Sequence, residues 1–592
     1  MMSSISRFLP FSASVTTAQA TTYLLGVSLF SISFLVFLNS SVSFVITDLI
    51  GQKDNVGDVV GTLGFADELV ALVACPAWGL VSDRLGVRWV ATIGYAIIGL
   101  ALAVFVQARN VYPQLLLARL FFAVGASASA TMVTAILPSL TDEADPVTAA
   151  SGPSRSKHHS RLSAAFSVES EATITPERYT RTLSQERTRG PTSAAKPGKP
   201  SALAGFVGSF TGCGALVSLA LFLPLPARFG RIDGVTPGQA VEYSFYVVGA
   251  VSLAVASFVS IGLRNLRGEE GKGWKALFGM RSRYDALDRL EQDDACRRPR
   301  PKRDVLPYLG LMRDSVWLGL TDSRIAMGYI GGFVARASTV AISLFIPLLV
   351  NTFFIDNGFC HGSPNDPSPE LKKECRAAYV LSSILTGVAQ LMGLVCAPLF
   401  GYLSGRTRRV NYPVVAASSL GIIGYMTLPH LSSPEVTDVD GRGGTPAILV
   451  VVAAVGVSQI GAIVCSLGSL GQGVLEAELP PSAIGDQASM TAVDEAETEA
   501  EAEDEDDGAV ESDPLVSAPA ESEPSSRVRL KGSIAGIYSL CGGAAILILT
   551  KVGGLLFDRL SHGAPFYMMA GFNAIWLVAS LLLDASQAYA AS

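Results

Sequence analysis

The sequence predicts an all-α membrane protein: twelve transmembrane helices arranged as two six-helix, pseudo-symmetric bundles. Three observations carry that prediction. The 592-residue chain is 49% hydrophobic and only 16% charged, and its mean hydropathy is +0.41, a composition foreign to water-soluble domains. It contains twelve apolar runs of the roughly 20 residues that cross a bilayer. Short motifs in the first half also recur at matching places in the second.

The first four spans, near 22–47, 58–80, 89–107 and 113–136, follow an N-terminal tail (1–21) and form segment 22–136. A loop at 137–200 separates them from spans five and six, near 202–224 and 243–263, in segment 201–263. A basic central loop at 264–325 leads to spans seven to ten, near 327–350, 377–400, 411–431 and 446–468, in segment 326–471. An acidic loop at 472–530 precedes spans eleven and twelve, near 532–557 and 565–584, in segment 531–585, and a tail ends the chain at 586–592.

Lys and Arg are retained on the cytoplasmic side during insertion. With the N-terminus inside, the cytoplasmic segments hold 32 of the 44 basic residues, so both termini are expected in the cytoplasm. The Ser-, Thr-, Pro- and Arg-rich loop at 137–200 is too polar to offset the entropy of folding and is expected to be disordered. The central loop carries RRPRPKR at 297–303, which either touches anionic lipid or is solvated as a stop-transfer segment. Residues 494–523 carry 14 acids and no base, an extended, self-repelling linker.

The internal repeat is the most informative pattern. Gly79, Ser82 and Arg84, between spans two and three, align with Gly401, Ser404 and Arg406, between spans eight and nine; Leu203, Ala204 and Gly205 align with Ile534, Ala535 and Gly536. Structural repeats of this kind are common among transporters, whose sites lie near the midplane between them. GLVSDRLGVR at 79–88 resembles the loop signature of the major facilitator superfamily, Gly-x-Leu-x-Asp-Arg-x-Gly-x-Arg. Gly79, Asp83, Arg84, Gly86 and Arg88 are in register, and Val81 takes the Leu slot. RLFFAVGA at 119–126 resembles a second signature, Arg-x-x-Gln-Gly-x-Gly: Arg119 and Gly125 match, while Phe122 and Ala123 replace Gln and Gly, which weakens the proton-coupling role the resemblance implies for Arg119. Span five has Gly208, Gly212 and Gly214 but lacks the proline of the drug-antiporter signature, so its glycines read as close-packing surface.

Gly86 suits a tight reversal, and Arg84 and Arg88 suit the inner headgroup region. Asp83 needs another reason, because Gly405 replaces it in the second copy. The resemblance implies a latch between the bundles on the cytoplasmic face, made by Gly79, Asp83, Arg84, Gly86, Arg88 and, in the second copy, Arg406. A plain turn-stabilising Asp83 is the alternative.

Ionisable residues within spans cost about 2.5–3.5 kcal/mol at a helix centre on the insertion scale and are functional candidates by default. Asp67 and Glu68 in span two, Arg119 in span four and Arg336 in span seven are such residues. Neighbouring helical positions diverge by about 100°, so one acid of span two can bind protons while the other pairs or packs; a structural ion pair is the competing reading. Arg336, on a helix that lines the cavity in the family, is a candidate to bind an anionic group of the substrate or to pair with Asp67 or Glu68. Asn39, Gln390 and Gln459 are candidates for substrate contact or for hydrogen bonds between helices.

Eight cysteines show no metal-ligand spacing, and no metal site or cofactor is expected. Cys360 and Cys375 share a non-cytoplasmic loop and suit either a disulfide or free thiols. GxxxxGK[ST] is absent, and the five histidines form no site with Ser, Asp or Cys, so neither an ATP-driven pump nor an enzyme is expected, and catalytic residues are none. The expectation is a secondary transporter moving a small solute by alternating access, with or without protons. Its partners would be the solute and the lipid bilayer, with no nucleic acid, and the protein would act as a monomer in the plasma membrane or a vacuolar or other endomembrane. The long loops give a eukaryotic impression. The competing class is a transporter-like nutrient sensor or scaffold that signals through its cytoplasmic loops.

Overall fold

The computed structural model describes residues 10–12, 14–52, 56–141, 199–267, 269, 272–277, 308–357, 376–406, 411–437, 444–475 and 530–591. Cys360, Cys375, the basic cluster at 297–303, the acidic run at 494–523 and nearly all of the 137–200 loop lie outside these residues. Every regular element among the described residues is a helix. Twelve are long and apolar enough to cross a membrane: α1 (Thr17–Ile50), α2 (Val59–Leu85), α3 (Val87–Phe105), α4 (Val111–Thr141), α5 (Lys199–Phe229), α6 (Pro237–Gly262), α7 (Ser323–Asp356), α8 (Val380–Arg406), α9 (Tyr412–His430), α10 (Ala447–Leu475), α11 (Lys531–Arg559) and α12 (Ala564–Ser586). The chain is an integral, multi-pass membrane protein.

Local sequence sets several helix ends. Thr236 and Gln239 form a reciprocal capping box ahead of Pro237, the residue best tolerated in a first turn. Asp322 caps α7 by accepting from the backbone N–H groups of Arg324 and Ile325. Gly86 turns α2 into α3 with φ +100°, a backbone state that side-chain-bearing residues avoid. Most helices run one or two turns beyond the apolar runs, because polar terminal turns continue the backbone hydrogen bonding outside the hydrocarbon. A further helix, Tyr308–Thr321, lies in the central segment, where a span search has nothing to detect: it is too short to cross. It packs on α7, α11 and α2 and leaves Trp317 and Leu320 exposed.

Helix neighbours repeat with an offset of six. In the first half α3 packs on α4 and α6, α2 on α4, and α1 on α5; in the second, α9 packs on α10 and α12, α8 on α10, and α7 on α11. The first bundle holds an aromatic core in which Phe105 and Phe245 stack at 5.6 Å and Phe37 meets Phe245 at 4.9 Å. Its polar stitches run between helices: Tyr23 donates to the Val133 carbonyl at 2.7 Å and Tyr95 to that of Val27 at 2.8 Å. Outward-facing side chains such as Val73, Leu391, Val395 and Ile575 are more than half exposed, which suits acyl chains and not water.

The bundles meet along two related seams, α2 on α11 and α8 on α5. A Cβ on Gly79 would lie 2.4 Å from the Gly532 carbonyl oxygen and 3.0 Å from the Gly536 Cα; one on Gly401 would lie 2.7 Å from the Gly205 Cα and 3.0 Å from the Ser201 carbonyl oxygen. The repeat seen in sequence is therefore a pair of backbone crossings in which each glycine admits its counterpart. Both crossings, and the α10 contacts through Gly468 to Ser201 and Gln472 to Ser201 at 2.9 Å, lie at the face bearing the 84–88, 141–199, 406–411 and 475–530 connections. The bundles are closed against each other at that face.

Candidate functional site

Counting about 1.5 Å per residue from the closed face, Arg336 stands about 20 Å up α7, and Glu68, Gln390 and Gln459 lie about 24–26 Å up their helices. The candidate residues thus share a slab near mid-membrane.

Asp67, Arg119 and Asn39 form one unit inside the first bundle. The Arg119 guanidinium donates from Nε to Asp67 Oδ2 at 2.6 Å and from Nη2 to Asn39 Oδ1 at 2.5 Å, tying α2, α4 and α1 together. Arg119 is 3% exposed, so the pair meets the requirement that a buried charge be matched. Two atoms of the unit, Asp67 Oδ1 and Arg119 Nη1, are buried without a hydrogen-bond partner.

Glu68, the next residue, behaves differently. It is partly exposed, and among the described residues no ion pair within 4.0 Å joins it to Arg336 of the second bundle. The Arg336 stem crosses Gly542 of α11, where a Cβ would lie 2.7 Å from Arg336 Cγ, and a Cβ on the adjacent Gly543 would lie 3.6 Å from Leu72 Cδ1. Glu68 is one helical turn above Leu72 on the same face. The carboxylate belongs to one bundle and the guanidinium to the other, on either side of the same stretch of α11. Lys551, farther from the closed face, sits 4.0 Å over the Phe65 ring.

The amides separate. Gln459 is 5% exposed and donates to Thr339 Oγ1 at 3.0 Å, binding α10 to α7 within the second bundle. Gln390 is exposed, one turn above Leu394, whose Cδ1 lies 2.9 Å from where a Cβ on Gly212 would be, so it lies on the face of α8 turned to α5, above the seam. Asn39 belongs to the Arg119 unit.

At the closed face, Asp83 accepts from the backbone N–H of Gly532 at 2.8 Å and of Ser533 at 2.7 Å, and the Ser533 hydroxyl also donates to it. A carboxylate of the first bundle thus caps the N-terminus of α11 in the second, where the helix dipole favours an anion. Arg88 donates to the Ser260 carbonyl at 2.7 Å and lies 4.8 Å from the Trp89 ring, joining α3 to the end of α6. Arg406 is exposed and donates to Tyr402 of its own helix at 2.6 Å.

Two residues that sequence reasoning passed over belong to this face. Lys531, wholly buried, pairs with Glu269 at 2.7 Å and donates to Ser139 Oγ at 2.5 Å. Glu269 also accepts from the Val87 N–H at 2.7 Å, capping α3. The pair spans 262 positions of chain, and the only local hint was a basic residue opening span eleven. A separate cavity of about 440 Å³, lined by Asp48, Thr236 and Glu242 among others, lies at the opposite face, far from the charged slab. Among the described residues no cluster of metal-ligating side chains occurs.

Residues 29–151 match the family model of the Major Facilitator Superfamily. No curated protein matches the chain. The structure is similar to that of the major facilitator proton:xylose symporter XylE, at TM-score 0.50 and 11% identity, over 95% of this chain and 94% of that one. The human organic anion transporter MFSD10 (TETRAN) aligns at TM-score 0.49 and 13% identity, over 95% and 99% of the two chains.

Proposed function

We propose that this chain, a multi-pass membrane protein with the major facilitator fold and a match to that superfamily's model over residues 29–151, is a secondary active transporter that moves a small solute by alternating access. The observation that carries the reading is the pairing of a closed seam at one face with accessible opposite charges between the bundles at mid-membrane. Unpaired charge at that depth is tolerated where it lines a water-filled path, and a path closed at one end is what alternating access requires.

In this reading the closed face is cytoplasmic, as the distribution of basic residues favours, and Asp83 holds the outward-open state by capping α11. Arg336 anchors an anionic group of the solute. The Asp67–Arg119 pair is the proton-coupling element: protonation of Asp67 cancels the charge that holds Arg119 and leaves it tied to Asn39 alone. Gln390 contributes to the wall of the outer path, whereas Asn39 and Gln459 support helix packing. Uptake by liposomes containing the purified protein, measured over a broad panel of sugars, nucleosides, carboxylates, amines and amino acids, tests the reading. Saturable accumulation of at least one solute that is lost in Arg336→Ala is expected, and absence of saturable uptake across the panel would overturn it.

A further inference from the structure

We infer that the mid-membrane interface between the bundles is built for a small zwitterion, a solute whose cationic nitrogen sits on Glu68 and whose anionic oxygens sit on Arg336. The inference rests on the transporter reading and gives its substrate class.

Charge bookkeeping in the slab comes first. Of its four acidic and basic side chains, Asp67 and Arg119 neutralise each other at 2.6 Å. That leaves one carboxylate, Glu68, on the first bundle and one guanidinium, Arg336, on the second. Both are partly exposed, and among the described residues neither makes a hydrogen bond or an ion pair. The two charges stand on opposite bundles with no ion pair within 4.0 Å between them, so each is open to a partner on a molecule that enters between the bundles. Arg336 is fixed in this pose, since its stem fills the space that Gly542 leaves vacant.

Other ligand classes fit less well. A neutral sugar would desolvate both charges and meet them with hydroxyl groups only, which offset less of that cost than an opposite charge does. A monoanion would satisfy Arg336 while Glu68 repelled it, and a monocation would do the reverse. A solute with an ammonium and a carboxylate a few atoms apart enters with no net charge and satisfies both ends by charge-assisted hydrogen bonds. It also bridges the bundles, because Glu68 belongs to one and Arg336 to the other. A ligand held from both sides binds a closed cleft better than an open one, and only such a difference can drive rocking.

The test uses the full-length protein in liposomes, with the common L-α-amino acids as probes. For each amino acid taken up, the matched acid lacking the amine and the matched amine lacking the carboxylate serve as competitors. Saturable amino-acid uptake is expected, with each one-charge fragment competing at least about tenfold more weakly. Glu68→Gln should abolish the preference for the amino acid over its amine-free acid, and Arg336→Gln the preference over its carboxylate-free amine. Protection of the wild-type protein from thermal unfolding by the amino acid, and not by the fragments, gives the same answer without a variant. Uptake confined to sugars, nucleosides or singly charged solutes would overturn the zwitterion inference and leave transport standing; no uptake of any solute would overturn both.

Discussion

One methyl group tests how Arg336 is held. In Gly542→Ala the new Cβ would stand 2.7 Å from Arg336 Cγ, so the guanidinium must leave its pose; half-saturation for uptake should rise about tenfold while protein yield stays near wild type. Asp83 makes a different kind of contact. Asp83→Asn keeps the shape but loses the charge that two N–H groups and a hydroxyl address, and hydrogen bonds to charged groups contribute about 1.5–3 kcal/mol. The closed-face population should fall by about 10- to 100-fold relative to the open one, read as faster alkylation of a cysteine placed at Ser139. Asp67→Asn should flatten the pH dependence of uptake and leave a residual, pH-independent rate; an unaltered pH profile would remove Asp67 from coupling. These roles differ in how far sequence reveals them. Residue type marks Asp67 and Glu68 as a pair of expensive acids, but which one meets Arg119 is set by the rotation of α2 about its axis. Only tertiary packing fixes that angle, so the two acids trade places in any reading made without it.

At the scale of elements, the helices were legible because a bilayer demands length and apolarity in one run, and both are written locally. Their packing was legible only where it leaves a compositional trace. Gly79, Gly205, Gly401 and Gly536 announce close backbone approach by recurring in register, and the two seams meet there. Lys531 and Glu269 leave no such trace, since a buried ion pair between segments 262 positions apart looks like two ordinary loop charges until the loops are placed. Gln459 likewise reads as a polar group in search of a ligand and turns out to hold Thr339. Gly79→Ala should force α2 from α11, because its Cβ would lie 2.4 Å from a carbonyl oxygen. Spin labels on the closed ends of α2 and α11 are expected to move several ångströms apart in the variant, and an unchanged separation would show that the seam tolerates the methyl group.

For the whole molecule, the offset of six in helix neighbours makes the bundles related bodies, and the location of the long connections follows from it. Cysteines introduced at Ser154 and Ser512 should both react with an impermeant reagent from the same side of the membrane; reaction from opposite sides would break the two-bundle topology. The symmetry is imperfect in one telling place. Where the first repeat supplies Asp83, the second supplies Gly405, so one backbone crossing carries an anion on a helix end and its twin has no acid at that position. Such a body resembles a door with a bolt on one jamb and a plain stop on the other. In the proposed transport cycle, release at the bolted jamb would set the pace of opening, and the other jamb would follow it.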